Sequence, residues 1–247
     1  MRYLPKPPQS EAAACIRGFI EAQNTGRASG IPWEELRLDY RSFTRTAQLR
    51  ALLIQEQKGL CAYTGTAIDD RLVQRAPPSD GHSFKPHIEH LKSQRQCRGE
   101  LEAQGGVVGR DLGEDLSYSN LVGALEVVGT PSEHFGAVSR GDQSLPIIPT
   151  DPVCTTAFLY AETGEILGNT PGAHATIEAL KLDHPTLNGW RSGAIQGLLP
   201  QGVRTPRATL EALIAILEDQ TRLSLPEFSF VVAQAARAFL AMQARGA

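Results

Sequence analysis

The sequence predicts an α+β protein that is mainly helical, with a small irregular centre between helical N- and C-terminal shells. Apolar residues recur at helical spacing towards both ends of the chain. Between residues 60 and 150, glycine and proline become frequent and the apolar periods shorten. The run Thr156-Ala157-Phe158-Leu159-Tyr160, a turn near Glu162-Thr163-Gly164, and Glu165-Ile166-Leu167 together predict a β-hairpin over 155–168.

In chain order, Ser10 is placed to cap a helix running through Gln23, with Ala14, Ile16, Phe19 and Ile20 on its apolar side. Pro32-Trp33-Glu34-Glu35-Leu36 is a short helical turn at most. A second helix covers Arg45 to Gln57, with Leu49, Leu52 and Leu53 on roughly one face and Lys58-Gly59 ending it. Leu60–Tyr63 and Pro86–Leu91 read as short strands. Ser93 to Ser117, with Gly99, Gly105, Gly106, Gly109 and Gly113, reads as a long loop, a length that usually signals function or mobility. Tyr118–Val127 reads as a short helix. After the hairpin, Thr205-Pro206 is an N-cap and N1 pair ahead of Leu210, Leu213, Ile214 and Leu217. Ser224-Leu225-Pro226-Glu227 has capping-box spacing before a last helix carrying Val231, Val232, Ala235 and Phe239. The expected organisation is one compact unit of three stretches: 1–58, 59–150 and 151–247.

Composition narrows the function. The 247 residues are 41% hydrophobic and 21% charged, as in an ordinary globular protein, and no run of 18 apolar residues suggests a membrane span. The start, Met1-Arg2-Tyr3-Leu4-Pro5-Lys6, lacks an apolar signal core, so a cytoplasmic protein is expected. Cys15, Cys61, Cys97 and Cys154 are widely spaced, which points to free thiols rather than a disulfide framework or a local zinc knuckle. The net charge of −3 argues mildly against a generally nucleic-acid-binding surface. Locally, residues 82–98 hold Lys85, Lys92, Arg95 and Arg98 against Glu89 alone, a balance of +3. Those four cations are the candidate phosphate contacts.

The chemistry-bearing cluster is His87-Ile88-Glu89-His90, followed thirty residues after His90 by Asn120. Metal-assisted phosphodiester cleavage needs a hard cation held by few protein ligands and a base that activates water. Histidine suits the second role because its unperturbed pKa is about 6.5. Strand alternation puts His87 and Glu89 on one face and His90 on the other, so Glu89 and His90 converge only if the strand ends, twists or bulges. Taken alone, two histidines and a glutamate within four residues also describe a surface strand.

The chain resembles the HNH nucleases of the Septu type, the smaller component of a bacterial anti-phage system that also accompanies some retrons. The resemblance runs through Met1-Arg2 with Lys6, Gly59-Leu60-Cys61-Ala62-Tyr63, His87-Ile88-Glu89-His90-Leu91 and Ser119-Asn120-Leu121. It continues through Phe158-Leu159-Tyr160, Gly164-Glu165-Ile166, Ala175–Leu182 and Leu187-Asn188-Gly189-Trp190-Arg191. It implies a small ββα-metal (HNH) core with Glu89 as ligand to one Mg²⁺ or Mn²⁺ and His90 as general base. Asn120 would orient the His90 ring. The last ligand of that family comes near a Cys-Asp/Asn-x-x-Lys motif, whose nearest counterpart is Ser132–Gly136 leading to Arg140-Gly141-Asp142. His134 is the candidate there, with His87 as a further metal ligand. The family's Cys-Ala-Tyr-Cys is Cys61-Ala62-Tyr63-Thr64 in this chain, and three of four structural-zinc thiolates are missing. Structural Zn²⁺ is therefore not expected, with Leu125, Val127 and Phe135 packing in its stead.

Three functions follow as expectations. The first is a metal-dependent DNA endonuclease acting with an SMC/ABC-type ATPase partner. The second is an HNH-fold interaction subunit of such a complex whose nuclease centre has decayed. The third is an effector that cleaves tRNA or other RNA. Elsewhere, His82 reads as an exposed loop residue, His174 and His184 as cap or surface residues, Cys61 as a buried thiol, and Trp33 and Trp190 as packing residues. Arg191 matches the family pattern without an assigned role.

Overall fold

A computed structural model describes residues 1–68, 83–130, 132–199 and 205–245. His82 lies outside the described residues. The protein is α+β and mainly helical, with two small antiparallel sheets among the described residues. Among the described residues, no helix is long and apolar enough to cross a membrane.

Helix α1 (Glu11–Ala28) starts where Ser10 accepts a hydrogen bond from the Ala13 amide at 3.2 Å. It runs five residues past Gln23. Ala12, Cys15, Ile16 and Phe19 face the core, whereas Ala14 is exposed. Helix α2 (Thr46–Glu56) buries Leu49 and Leu53 and stops at Lys58 and Gly59, whose φ angles of 60° and 76° lie in the left-handed region. Leu60–Tyr63 does not form a strand; Leu60 makes an isolated bridge to Ala67 around a tight turn closed by Cys61 N–H donating to Thr66 O at 2.8 Å.

Strand β1 (Ser83–His90) pairs antiparallel with β2 (Leu121–Val128), from Ser83 opposite Val128 to His90 opposite Leu121. The helix expected over Tyr118–Val127 is thus a 3-10 turn, Tyr118–Asn120, followed by a strand. A short apolar run buried on both faces carries no periodicity that separates strand from helix. The outer edge of β2 is closed by a side chain. Gln57 donates from Nε2 to Gly123 O at 2.8 Å and accepts from Gly123 N at 2.7 Å, as a neighbouring strand would. At position 123 an added Cβ would stand 3.2 Å from Ile54 and 3.3 Å from the Gln57 amide, so those side chains would have to give way.

The long loop expected from Ser93 begins instead with helix α3 (Gln94–Ala103). Ser93 Oγ accepts from Gln96 N, and Gln96 Oε1 accepts from Ser93 N, both at 3.2 Å, a reciprocal capping box. After β2, a four-residue helix, α4 (Ala137–Arg140), lies between Gly136 and Gly141. The hairpin forms as β3 (Phe158–Tyr160) and β4 (Ile166–Gly168). On β3, Gln234 repeats the edge pairing, accepting from Tyr160 N at 2.8 Å and donating to Phe158 O at 3.1 Å.

Helices α5 (Pro171–Leu180), α6 (Pro185–Leu198), α7 (Arg207–Glu218) and α8 (Ser229–Arg245) complete the described chain. Helix α7 has Pro206 at its N-cap rather than N1. The Ser224–Glu227 capping box does not form, because Glu227 instead accepts from Ala67 N at 2.9 Å and Phe228 N donates to Gly65 O. That exchange docks the last helix onto the turn after Cys61. The main core gathers Met1 and Leu4, the Cys61 turn, the inner face of the β1–β2 pair, the hairpin and α5. A second core joins α6, α7 and α8, and a third joins α1 and α2 with Leu116 and Leu121.

Candidate functional site

The end of β1 and the beginning of β2 hold His87, Glu89, His90 and Asn120. The ladder stays in register there, with Glu89 opposite Val122 and His90 opposite Leu121. Alternation therefore holds, and the site has two sides.

On one side is His90, only 6% exposed. Its ring meets the Tyr40 ring edge-on at 4.3 Å, and Nε2 lies 3.1 Å from the Asp115 carbonyl. That carbonyl is an acceptor, so Nε2 carries the proton and donates; Nδ1 is left with the lone pair, as a base requires. Asn120 does not touch the ring. Its Oδ1 accepts from Lys92 N at 2.6 Å, while Nδ2 donates to Lys92 O at 3.1 Å and Glu114 O at 3.2 Å. Asn120 thus clamps the chain leaving β1 to the turn that presents the Asp115 carbonyl. It orients His90 through the backbone.

Burial lowers the His90 ring from 6.5 to about 4, a shift only partly offset by its hydrogen bond to Asp115. The unfolded chain takes up this proton as pH falls through 6.5, but the folded ring does so only near 4. The stability from a neutral His90 is therefore complete above 6.5 and lost between 6.5 and about 4. The full loss is on the order of 3 kcal/mol. Urea midpoints measured across that window are expected to fall more steeply for wild type than for His90→Asn. Parallel curves would remove His90 as the cause.

On the other side, Glu89 meets Arg140 of α4, whose side chain is fully buried. Arg140 Nη1 donates to Glu89 Oε1 at 2.7 Å, to the His90 carbonyl at 2.8 Å and to Tyr63 Oη at 2.9 Å. Its Nε donates to Gln143 O at 2.7 Å. Tyr63, held protonated by burial and by the nearby Glu89, donates to the same carboxylate at 3.4 Å. His87 Nε2 lies 3.3 Å from Glu89 Oε2. Sequence reasoning missed Tyr40, Tyr63, Asp115 and Arg140. Tyr63 and Arg140 stood in segments the motif had marked.

His134 is not brought to Glu89. Its Nε2 lies 3.0 Å from Gly129 O, beyond the far end of β2. At ~3.3 Å per strand residue, that is roughly 20 Å along the ladder from Glu89. Among the described residues, no three of His, Cys, Asp and Glu come together as a metal-holding group. His87 and Glu89 supply two donors, and the Arg140 guanidinium already bonds the carboxylate. As folded, Arg140 competes with a cation for Glu89 Oε1, while Oε2 faces His87 Nε2.

The four candidate phosphate contacts are largely occupied. Lys85 lies 3.3 Å from Glu126, and Lys92 reaches Glu100 at 2.7 Å and Glu114 at 2.6 Å. Arg95 stands 4.0 Å from Asp142, and Arg98 donates to Gln94 at 3.1 Å. Near the turn after Cys61, the Cys61 thiol accepts from Leu125 N at 3.3 Å, and Thr64 and Thr66 hydroxyls pair at 2.7 Å. Leu125, Val127 and Phe135 share the buried cluster with Cys61. Trp190 packs edge-on against Phe84 and Phe135, and Trp33 lies under Arg37. His184 caps α6 by accepting from Thr186 N, His174 is exposed, and buried Arg191 donates to Gly164 O and Leu182 O.

No protein-family model matches the chain, and no curated protein matches it.

Proposed function

We propose that the chain is an HNH-fold subunit of a bacterial anti-phage defence complex that engages DNA beside His90, with an SMC/ABC-type ATPase as partner. The observation that carries this reading is the Asn120 clamp. It holds the loop between two antiparallel strands so that a backbone carbonyl fixes the tautomer of a histidine at the end of the first strand. This is the arrangement a ring needs to accept a proton from water in phosphodiester hydrolysis.

Cutting also requires charge stabilisation at phosphorus. Arg140 on Glu89, and His134 bonded to Gly129 O beyond the far end of β2, favour the second reading, an HNH-fold subunit that binds without cutting. We take that as the function the geometry supports best. The metal-dependent endonuclease and the RNA-cleaving effector are its competitors.

The test compares purified wild type and His90→Ala on plasmid DNA and on tRNA. Mg²⁺ or Mn²⁺ is supplied, with and without the co-purifying ATPase. The expected result is DNA retention without nicking in every condition. Nicking by wild type that disappears in His90→Ala would establish the endonuclease instead, and selective loss of tRNA would establish the RNA effector.

A further inference from the structure

The segment from Tyr40 to Gln55 contains Arg41, Arg45 and Arg50 and no aspartate or glutamate. Arg41 and Arg45 are exposed, and Arg50 is half-buried. Among the described residues, none of the three has an ion pair or a hydrogen bond from its side chain. Of the acids that flank the segment in sequence, Glu56 accepts from Tyr118 Oη at 2.8 Å. Asp39 accepts from Arg37 and Ser42, and buried Asp115 accepts from Tyr40 N at 2.9 Å. The contrast with Lys85, Lys92 and Arg95, each beside a carboxylate, is a contrast in available charge.

The same segment abuts the candidate site. Tyr40 lies against the His90 ring, and Arg50 is close enough to bear on the Tyr40 phenol. Arg45 reaches across to α1, where a Cβ on Gly18 would stand 3.7 Å from its Nη1. Thr44 and Gln48 are exposed between the arginines and add neutral hydrogen-bonding groups of the kind that accompany phosphate contacts.

From this geometry we infer that the DNA backbone runs over the 3-10 turn at Tyr40–Ser42 and the first turns of α2, held by Arg41, Arg45 and Arg50. The 85–98 segment is not its track. This rests on the reading of the chain as a DNA-engaging subunit. Duplex DNA is the committed partner, because unpaired cations spaced along one segment beside a histidine suit a repeating phosphate chain.

The experiment is fluorescence anisotropy of the full chain with a labelled twenty-base-pair duplex over a KCl series. The proteins are wild type, Arg41→Ala/Arg45→Ala and Lys85→Ala/Arg95→Ala, all exposed sites, with circular dichroism confirming the fold. The first double variant is expected to lower the slope of log affinity against log salt by about 2 and to weaken binding roughly tenfold at moderate salt. The second is expected to keep the wild-type slope. Duplex binding with an unchanged slope in the first variant overturns the assignment while leaving the DNA reading standing. Failure of wild type to bind the duplex at low salt overturns both.

Discussion

Arg140→Ala is expected to cost about 3 kcal/mol of stability or more, because removing one member of a buried ion pair leaves the other without its counter-charge. The loss extends beyond Glu89. The same Nη1 also serves Tyr63 and the His90 carbonyl, and Nε holds Gln143, so one side chain joins β1, the Cys61 turn and α4. Arg140→Lys is expected to recover only part, since an ammonium carries the charge but not the planar fork. The variant also tests what Glu89 is for. With the guanidinium gone, millimolar Mn²⁺ is expected to raise the urea midpoint of Arg140→Ala by linkage while leaving wild type unmoved. A Mn²⁺ shift in wild type that vanishes in Glu89→Gln would mean that the cation coexists with Arg140, and would count against a subunit that binds without cutting. A destabilisation under about 1 kcal/mol would reduce the pair to the ordinary worth of a surface ion pair.

The second large effect belongs to Asn120, which is 4% exposed. Asn120→Ala removes one accepted and two donated hydrogen bonds to backbone, leaving Lys92 N without a partner, while Lys92 O keeps the Cys97 thiol and Glu114 O keeps Ser117 N. At roughly 1–3 kcal/mol for the one group left unsatisfied and about 1 kcal/mol or less for each of the other two bonds, a loss of about 3 kcal/mol is expected in chemical denaturation. Asn120→Asp separates charge from shape. It keeps the acceptor for Lys92 N but turns a carboxylate oxygen towards two carbonyls, so it should be no more stable than alanine. Amide exchange across residues 91–119 should accelerate in both variants. A wild-type exchange pattern in Asn120→Ala would show that the loop is held by its own turns.

Much of this was readable in the residues, and what was not has physical reasons. Ser10, Lys58-Gly59 and the hairpin carry local signals, and each element forms where its signal stands. The Ser93–Gln96 capping box was equally local, yet it opens a polar helix with Cys97 as its buried residue, so no apolar stripe announced it. β2 failed for the opposite reason: Leu121–Val127 is buried almost throughout, and an unbroken apolar run has no period to read. The site divides along the same line. His90, Glu89 and Asn120 are marked by type and spacing. Tyr40 and Arg140 reach His90 and Glu89 from fifty residues away on either side, and only the fold pairs them.

Gln57 and Gln234 give the two sheets a shared property. Each presents one side-chain amide to a strand edge and consumes the backbone donor and acceptor that a further strand would need. Pro86 lies on β1, and the His90 carbonyl at its end is taken by Arg140. Neither sheet can lengthen sideways at these places without first expelling a side chain. At these places a partner, or another copy of the chain, would meet side chains rather than free main-chain groups. The same blocking should keep these short two-stranded sheets from seeding fibrils when the concentration is high.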